Sequence, residues 1–343
     1  MNLVFPAAAA FGLACLGTYY LSRPTTRLPM MDYPNERSLH DRPIPRTGGL
    51  ALISGIILGT LILLPDSSLR PMVGYLALGW AILVLVSIRD DVKSLGALTR
   101  LAAQFAATSV IIPAGLVPES IHIPLLGEQG LGWLAIPLTF LFVVWFANLY
   151  NFMDGMDGFA GGMGGFGFAF LAAIAWQDGQ QEIAALALVV SAANLGFLVW
   201  NFPPARIFMG DTGSIPMGFL AAVFALWLAE TGTPILISVL VFAPFVIDAT
   251  YTLGRRILRR EAVWRAHRSH LYQRVVLLGW SHRKTVLSEY FIMLGVGCTA
   301  LFLNTNQKDI VKLLTVLFWI ILFCGSACTI AMWERSSLKK SIE

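Results

Sequence analysis

Several short polar stretches interrupt an otherwise apolar chain, and their residue types suit phosphate and divalent-cation chemistry. Arg89-Asp90-Asp91-Val-Lys93 sets two adjacent carboxylates directly after a long apolar run. Neighbouring carboxylates repel unless a cation lies between them. The pair therefore either collects Mg²⁺ or orients a nucleophile while Lys93 balances the charge. The plainer reading is a solvated helix end with local ion pairs. In Asn148-Leu-Tyr-Asn151-Phe-Met-Asp154-Gly-Met-Asp157-Gly158, three polar side chains recur every third residue, so a helical turn would gather them on one face. Amide and carboxylate oxygens are hard ligands of the kind Mg²⁺ takes, whereas the plain alternative is a polar turn with a helix cap. Asn201-Phe-Pro-Pro-Ala-Arg206-Ile-Phe-Met-Gly210-Asp211-Thr-Gly213-Ser214 holds Asp211 between glycines just before another apolar run. Backbone N–H groups at a helix start favour phosphate, with Asp211 as a metal ligand beside it. Plain capping by Asp211 or Thr212 is the alternative.

Two basic stretches complement the acidic ones. Arg265-Ala-His267-Arg268-Ser-His270-Leu-Tyr-Gln-Arg274 spaces two histidines three apart among arginines. That is a donor-rich face for a diphosphate, or a basic helix lying on anionic lipid. A zinc site would need a third His or Cys nearby. Asp32-Tyr-Pro-Asn35-Glu-Arg37-Ser-Leu-His40-Asp-Arg42-Pro-Ile-Pro45-Arg46-Thr-Gly48-Gly49 either anchors the chain by charge or offers its arginines to a lipid phosphate. Asp248 lies inside an apolar run and either pairs with Arg255 or Arg256 or belongs to the site.

The elements that must hold these stretches are transmembrane helices. Of 343 residues, 57% are hydrophobic and 13% charged, against about 25% charged in ordinary soluble domains. Apolar runs of roughly 18 or more residues with few charges read as spans. Eleven candidates follow, at about 3–21, 47–64, 71–88, 101–118, 131–150, 159–176, 183–200, 214–229, 234–253, 285–303 and 310–332. The expected fold is an all-α polytopic membrane protein, one integral domain over 1–343. The first run lacks a preceding basic residue and a cleavage site, and reads as a span rather than a removed leader. Alternating the loops puts nearly every Lys and Arg on one side, leaving Arg70, Lys308 and Lys312 on the other. The positive-inside rule makes the rich side cytoplasmic, with the N-terminus outside and the C-terminus inside. All the polar stretches above then share that side. The net charge of +4 thus reflects topology, not a nucleic-acid partner. Residues 119–130, on the other side, suggest a small hairpin. The glycines of 158–167 suit close helix packing, since no Gly-Lys-Ser/Thr follows. Cys15, Cys298, Cys324 and Cys328 lie in apolar runs and read as small core residues.

Asp90-Asp91, Asn151-x-x-Asp154-Gly-x-Asp157-Gly and Phe208-Met-Gly-Asp211-x-Gly-Ser, in that order on one membrane face, resemble the polyprenyl-phosphate N-acetylhexosamine-1-phosphate transferase superfamily. Phospho-N-acetylmuramoyl-pentapeptide transferase and the enzymes that start O-antigen and teichoic-acid linkage units belong to it. The resemblance covers roughly residues 30–285. It implies transfer of N-acetylhexosamine-1-phosphate from a UDP-N-acetylhexosamine to polyprenyl (undecaprenyl) phosphate at the cytoplasmic face of a bacterial inner membrane, releasing UMP. It implies Mg²⁺, with Mn²⁺ as the alternative ion. Asp211 becomes the principal metal ligand with Asn151 nearby, and Asp90 or Asp91 handles the lipid phosphate with Lys93 and Arg46. Asp154, Asp157, Asn201, His267, Arg268 and His270 fall to the nucleotide-sugar. Relatives often carry His-x-His-His, where this chain has His267-Arg268-Ser269-His270. The form His-Arg-Ser-His-Leu-Tyr-Gln-Arg looks most like the O-antigen-initiating branch. Pentapeptide transfer is the alternative within the superfamily, and a transporter of phosphorylated solutes the alternative outside it. A homodimer is compatible with the pattern.

Overall fold

A computed structural model describes residues 3–23, 26, 30–34, 38–66, 68–262, 267–306 and 308–342. Asn35, Arg37 and Arg265 of the basic stretches, and Arg27, lie outside the described residues. The fold is helical: α1 Val4–Leu21, α2 Gly48–Leu63, α3 Arg70–Val92, α4 Ala97–Ile111, α5 Ala135–Phe152, α6 Phe159–Gln177, α7 Gln181–Asn201, α8 Asp211–Glu230, α9 Ile235–Val241, α10 Ala243–Leu258, α11 Leu271–Leu277, α12 His282–Thr305 and α13 Asp309–Ile342. Two short antiparallel ribbons accompany them. β1 (Met31–Asp32) pairs with β2 (Ile44–Pro45) beside the site, and β3 (Ser120–Ile123) pairs with β4 (Gly127–Gly130) in the hairpin expected at 119–130.

Each of the eleven expected spans contains a helix, but they are not equivalent. Eight described helices are long and apolar enough to cross a bilayer unaided, and up to nine if a bent pair is counted. α2 has 16 residues and α4 has 15, short of the roughly 20 that a 30 Å core needs at 1.5 Å per residue. The expected straight span at 234–253 is instead broken into α9 and α10, bent by 85°. Pro244, in the first turn of α10, has no N–H to continue the α9 ladder, and its ring clashes with the preceding turn.

α8 is the axis of the bundle. Of its apolar window 94% is buried, against 17% for α13. Its small residues let neighbouring backbones approach. A side chain on Gly49 of α2 would stand 2.5 Å from the Gly213 nitrogen, so only glycine allows the α2 start to touch the α8 start. The glycines of α6 pack as expected, with Gly164 against Asn194 of α7 and Gly162 against Tyr290 of α12. These packings bring the start of α8 and the ends of α3, α5 and α7 to one end of the bundle.

Candidate active site

The start of α8 has no side-chain cap of its own. It is capped from another helix: the Asp91 carboxylate accepts hydrogen bonds from the Asp211 N–H (3.2 Å), the Thr212 N–H (2.8 Å) and the Thr212 hydroxyl (2.6 Å). A carboxylate at these orphan donors also meets the positive end of the helix dipole. Gly210 makes the approach possible. Its φ is +70°, and a Cβ there would lie 2.9 Å from Asp91 Oδ2 and 2.6 Å from the Arg46 carbonyl. Arg46 has turned inward, donating to the Asp91 carbonyl at 2.6 Å with its Nε 3.8 Å from Asp91 Oδ1. Asp90 and Asp91, expected to open a loop, form instead the last turn of α3. Successive residues there point 100° apart, so the two carboxylates do different work.

Asp90 lies beside Arg100, which it shares with Asp211. Its Oδ1 accepts the Leu95 N–H at 2.5 Å, while Oδ2 is buried with no hydrogen-bond partner among the described residues. Arg100 of α4 stands between Asp90 Oδ2 (3.6 Å) and Asp211 Oδ2 (3.8 Å). Asn151, in the last turn of α5, orients Asp211 by donating to its Oδ1 at 2.8 Å, and also meets the Ser214 hydroxyl at 2.8 Å. Among the described residues no three His, Cys, Asp or Glu side chains form a closed metal cage. A buried carboxylate oxygen with no hydrogen-bond partner among the described residues, beside a second carboxylate and an amide, nonetheless suits Mg²⁺, which keeps several waters and binds through one or two carboxylates plus substrate phosphates.

Asp154 and Asp157 lie in an irregular turn between α5 and α6, not on one helical face. The glycines at 155 and 158 break the helix there, and Gly158 is left-handed at φ +75°. Asp154 lines the cavity, and burial, reinforced by the charges of Asp211, Asp91 and Asp32, holds its carboxyl well above the ordinary range. Asp157 clasps the turn to its surroundings, accepting the Ala205 N–H at 2.9 Å with His282 Nδ1 3.3 Å away. Asn201 does the same, accepting the Gly158 N–H at 3.0 Å and donating to the Ile207 carbonyl at 2.9 Å.

His267 and His270 are not on a common helix. His270 precedes α11 in an extended conformation, yet the two rings lie 4.9 Å apart. Asp248 of α10 holds this arrangement. It accepts the Leu271 N–H (2.9 Å) and Tyr272 N–H (3.2 Å), and its Oδ1 lies 3.3 Å from His270 Nδ1. The arginine pairing expected for Asp248 does not form, because Arg256 bonds Glu261 at 2.9 Å. Ser269 places its hydroxyl 2.9 Å from His267 Nδ1. Burial, with the charges of His270 and Arg256, lowers His267 to about 4, so its ring is neutral at physiological pH. Arg268 and Lys93 are exposed.

Two cavities meet at this end. One, of about 310 Å³, is polar and is lined by Asp32, His40, Arg46, Asp154, Asp211 and His282 among others. The other, of about 560 Å³, carries Arg100 and His270 at its polar end and Leu101, Trp145, Phe152 and Leu253 along its length. Asn151 and His267 line both. Sequence reasoning did not single out Arg100, His40 and His282. Arg100 had a signal, as a charge at the very edge of the expected span 101–118. His40, whose Nε2 is 3.1 Å from Asp32, and His282 sit in basic stretches where nothing local distinguishes them.

Comparison with known proteins agrees with this geometry. The profile of glycosyl transferase family 4 matches residues 73–229. The chain is 33% identical over 310 residues to a probable undecaprenyl-phosphate N-acetylglucosaminyl 1-phosphate transferase of Bacillus subtilis (strain 168), covering 89% of this chain and 86% of the relative. It is 27% identical to the undecaprenyl-phosphate alpha-N-acetylglucosaminyl 1-phosphate transferase of Salmonella typhi, over 92% and 88%. A phospho-N-acetylmuramoyl-pentapeptide-transferase of Geobacillus kaustophilus is 34% identical over 48% of this chain and 52% of its own. A multi-pass helical membrane protein with an acidic polar cavity opening into an apolar groove is thus a membrane transferase by class. The chain belongs to glycosyl transferase family 4, within the polyprenyl-phosphate N-acetylhexosamine-1-phosphate transferase superfamily.

Proposed function

We propose that the protein transfers N-acetylhexosamine-1-phosphate, with N-acetylglucosamine the sugar its relatives name, from a UDP-sugar to undecaprenyl phosphate at the cytoplasmic face of the inner membrane. The product begins a cell-envelope glycan such as O-antigen. The observation that carries the reading is the junction of the two cavities at Asn151 and His267, beside the Asp90–Arg100–Asp211 array. A donor with a charged diphosphate fits the polar chamber, and a phosphate on a long isoprenoid fits the groove, charged end inward.

A lipid phosphate oxygen forms a bond to the β-phosphorus of the UDP-sugar, and the bond from that phosphorus to the bridging oxygen breaks. UMP takes the electron pair and leaves. The acceptor phosphate has its second pKa near 6 and is largely dianionic at neutral pH, so no strong base is required. Phosphoryl transfer depends chiefly on positioning and charge neutralisation. Asp90 and Asp211, steered by Asn151, would hold Mg²⁺, which when bound neutralises diphosphate charge. Arg100, freed from the two carboxylates, is placed to meet phosphate oxygens. Neutral His267 and the Asp248-held His270 offer ring N–H donors at the junction.

The test is movement of radiolabel from UDP-N-acetylglucosamine into an organic-extractable product on supplying undecaprenyl phosphate and Mg²⁺. The wild-type chain forms the labelled lipid and Asp211→Ala does not. Equal labelling by both proteins, or solute accumulation in vesicles with no chemical conversion, overturns the reading.

A further inference from the structure

A third cavity at the same end of the bundle, of about 490 Å³, has the opposite electrostatic character to the acidic chamber. The first loop is the wall between the two. Asp32, His40 and Arg46 line the acidic chamber, while Met31, Arg42 and Thr47 line this one. Arg23, from the end of α1, and Arg206, from the segment after α7, complete its basic rim, and no Asp or Glu lines it among the described residues.

The rim is built, not a scatter of surface charge. Tyr19 of α1 and Trp200 of α7 stack at 4.7 Å. The Arg23 guanidinium lies over the Tyr19 ring at 4.4 Å, and the Arg206 guanidinium over the Trp200 ring at 5.1 Å. Arg23 is further fixed by a 2.6 Å hydrogen bond to the Tyr19 hydroxyl. Two guanidiniums are thereby held against an aromatic pair, each with much of its N–H fork unspent. None of Arg23, Arg42 and Arg206 lies within ion-pairing distance of a carboxylate among the described residues, unlike Arg46, Arg100, Arg256 and Arg274. The Thr47 hydroxyl, on the cavity wall, is buried with no hydrogen-bond partner among them. Two held guanidiniums and the exposed Arg42 around one hollow, with an orphaned hydroxyl, form a receptor for a phosphate group.

We propose that this cavity is a second anion site, distinct from the acidic chamber, that binds a phosphate-bearing ligand through Arg23, Arg42 and Arg206. Its place at the ends of two spanning helices, beside a Tyr–Trp pair of the kind that marks a membrane–water boundary, makes the phosphodiester of an anionic phospholipid the fitting source. A soluble phosphate is the other. The proposal is independent of the transferase reading, because none of the three arginines lines the chambers assigned to that reaction.

Native mass spectrometry of the full chain released from phosphatidylcholine nanodiscs containing phosphatidylglycerol tests it. The wild type retains one phosphatidylglycerol. The R23Q/R42Q/R206Q variant binds it about a hundred-fold more weakly, each arginine near the surface contributing several-fold. R259Q/R260Q/R335Q, which removes three exposed charges elsewhere, keeps it. Arg42 takes no part in the aromatic stack, so R42Q alone tests the site without disturbing the helix ends, and a severalfold loss is expected. The soluble source is read in phospholipid-free detergent as a rise in unfolding temperature on adding pyrophosphate. A rise present in the wild type and reduced in R42Q, without retained lipid, assigns the same cavity to a soluble phosphate. Neither retained lipid nor a reduced rise, or equal loss in the control variant, overturns the proposal.

Discussion

Asp91 of α3 and Thr212 of α8 are joined twice, by the 2.8 Å bond from the Thr212 N–H and the 2.6 Å bond from its hydroxyl. One carboxylate therefore fixes where α8 begins, and with it the position of Asp211. Its neighbour Asp90 keeps a buried oxygen without a hydrogen-bond partner among the described residues.

The two adjacent aspartates should separate experimentally. Asp91→Ala should lower stability by about 2 kcal/mol, as loss of a helix cap with buried donors left behind does, read as a fall in unfolding temperature in detergent. Asp90→Asn keeps the acceptor for the Leu95 N–H and should leave that temperature unchanged while turnover falls. Raising the pH should not restore the Asp90→Asn rate, because the carboxylate places charge and does not remove a proton. Full recovery at high pH would sink that view.

Removing divalent cations with a chelator should abolish turnover, with Mg²⁺ restoring it and Mn²⁺ substituting. Asn151→Ala leaves Asp211 unsteered, and the Mg²⁺ concentration giving half-maximal rate should rise by about ten- to a hundred-fold, as for other supports of a metal ligand. An unchanged Mg²⁺ requirement would remove Asn151 from that role.

His267 gives a pH signature. Its folded value of about 4 lies below the ordinary 6.5, so between those values the unfolded chain binds more protons than the folded one. Stability from this group is therefore complete above pH 6.5 and is lost as pH falls toward 4. His267→Asn should flatten the acid side of an unfolding-temperature profile in that window and leave the neutral region unchanged. The same profile in both proteins would contradict a buried neutral imidazole.

Asp248 should govern the order of α11. Asp248→Ala orphans the Leu271 and Tyr272 N–H groups and releases His270, so amide exchange over 271–277 should accelerate while α8 stays protected. Glu334→Gln should act in the same direction but less. Arg274 bonds that carboxylate at 2.6 and 2.7 Å from the far side of α11, and the amide keeps one of those acceptors.

Much of this was legible in the chain. Apolar runs tens of residues long announce helices whatever they pack against, and the acidic and amide residues are costly at membrane depth, so they stood out by type alone. What could not be read is which oxygens are spent. Asp90 and Asp91 are identical and adjacent, and only the arrival of α8, about 120 residues later, divides them into a ligand candidate and a cap. Asp157, Asn201 and Asp248 likewise hold distant N–H groups that no local pattern links to them. The bend between α9 and α10 did have a local sign in Pro244, but the hydrophobicity of 234–253 is the same whether the segment runs straight or turns.

At that 85° turn α10 departs from the line of α9, and the groove lined by α10 residues Ala249 and Leu253 also carries α4 and α5 on its walls. An isoprenoid substrate entering there stays among the acyl chains while only its head reaches the chemistry. Encounter then becomes a two-dimensional search, and the velocity should follow the mole fraction of acceptor in the membrane rather than its amount per volume of suspension. Diluting the bilayer with inert lipid would slow the protein even though nothing in the water had changed.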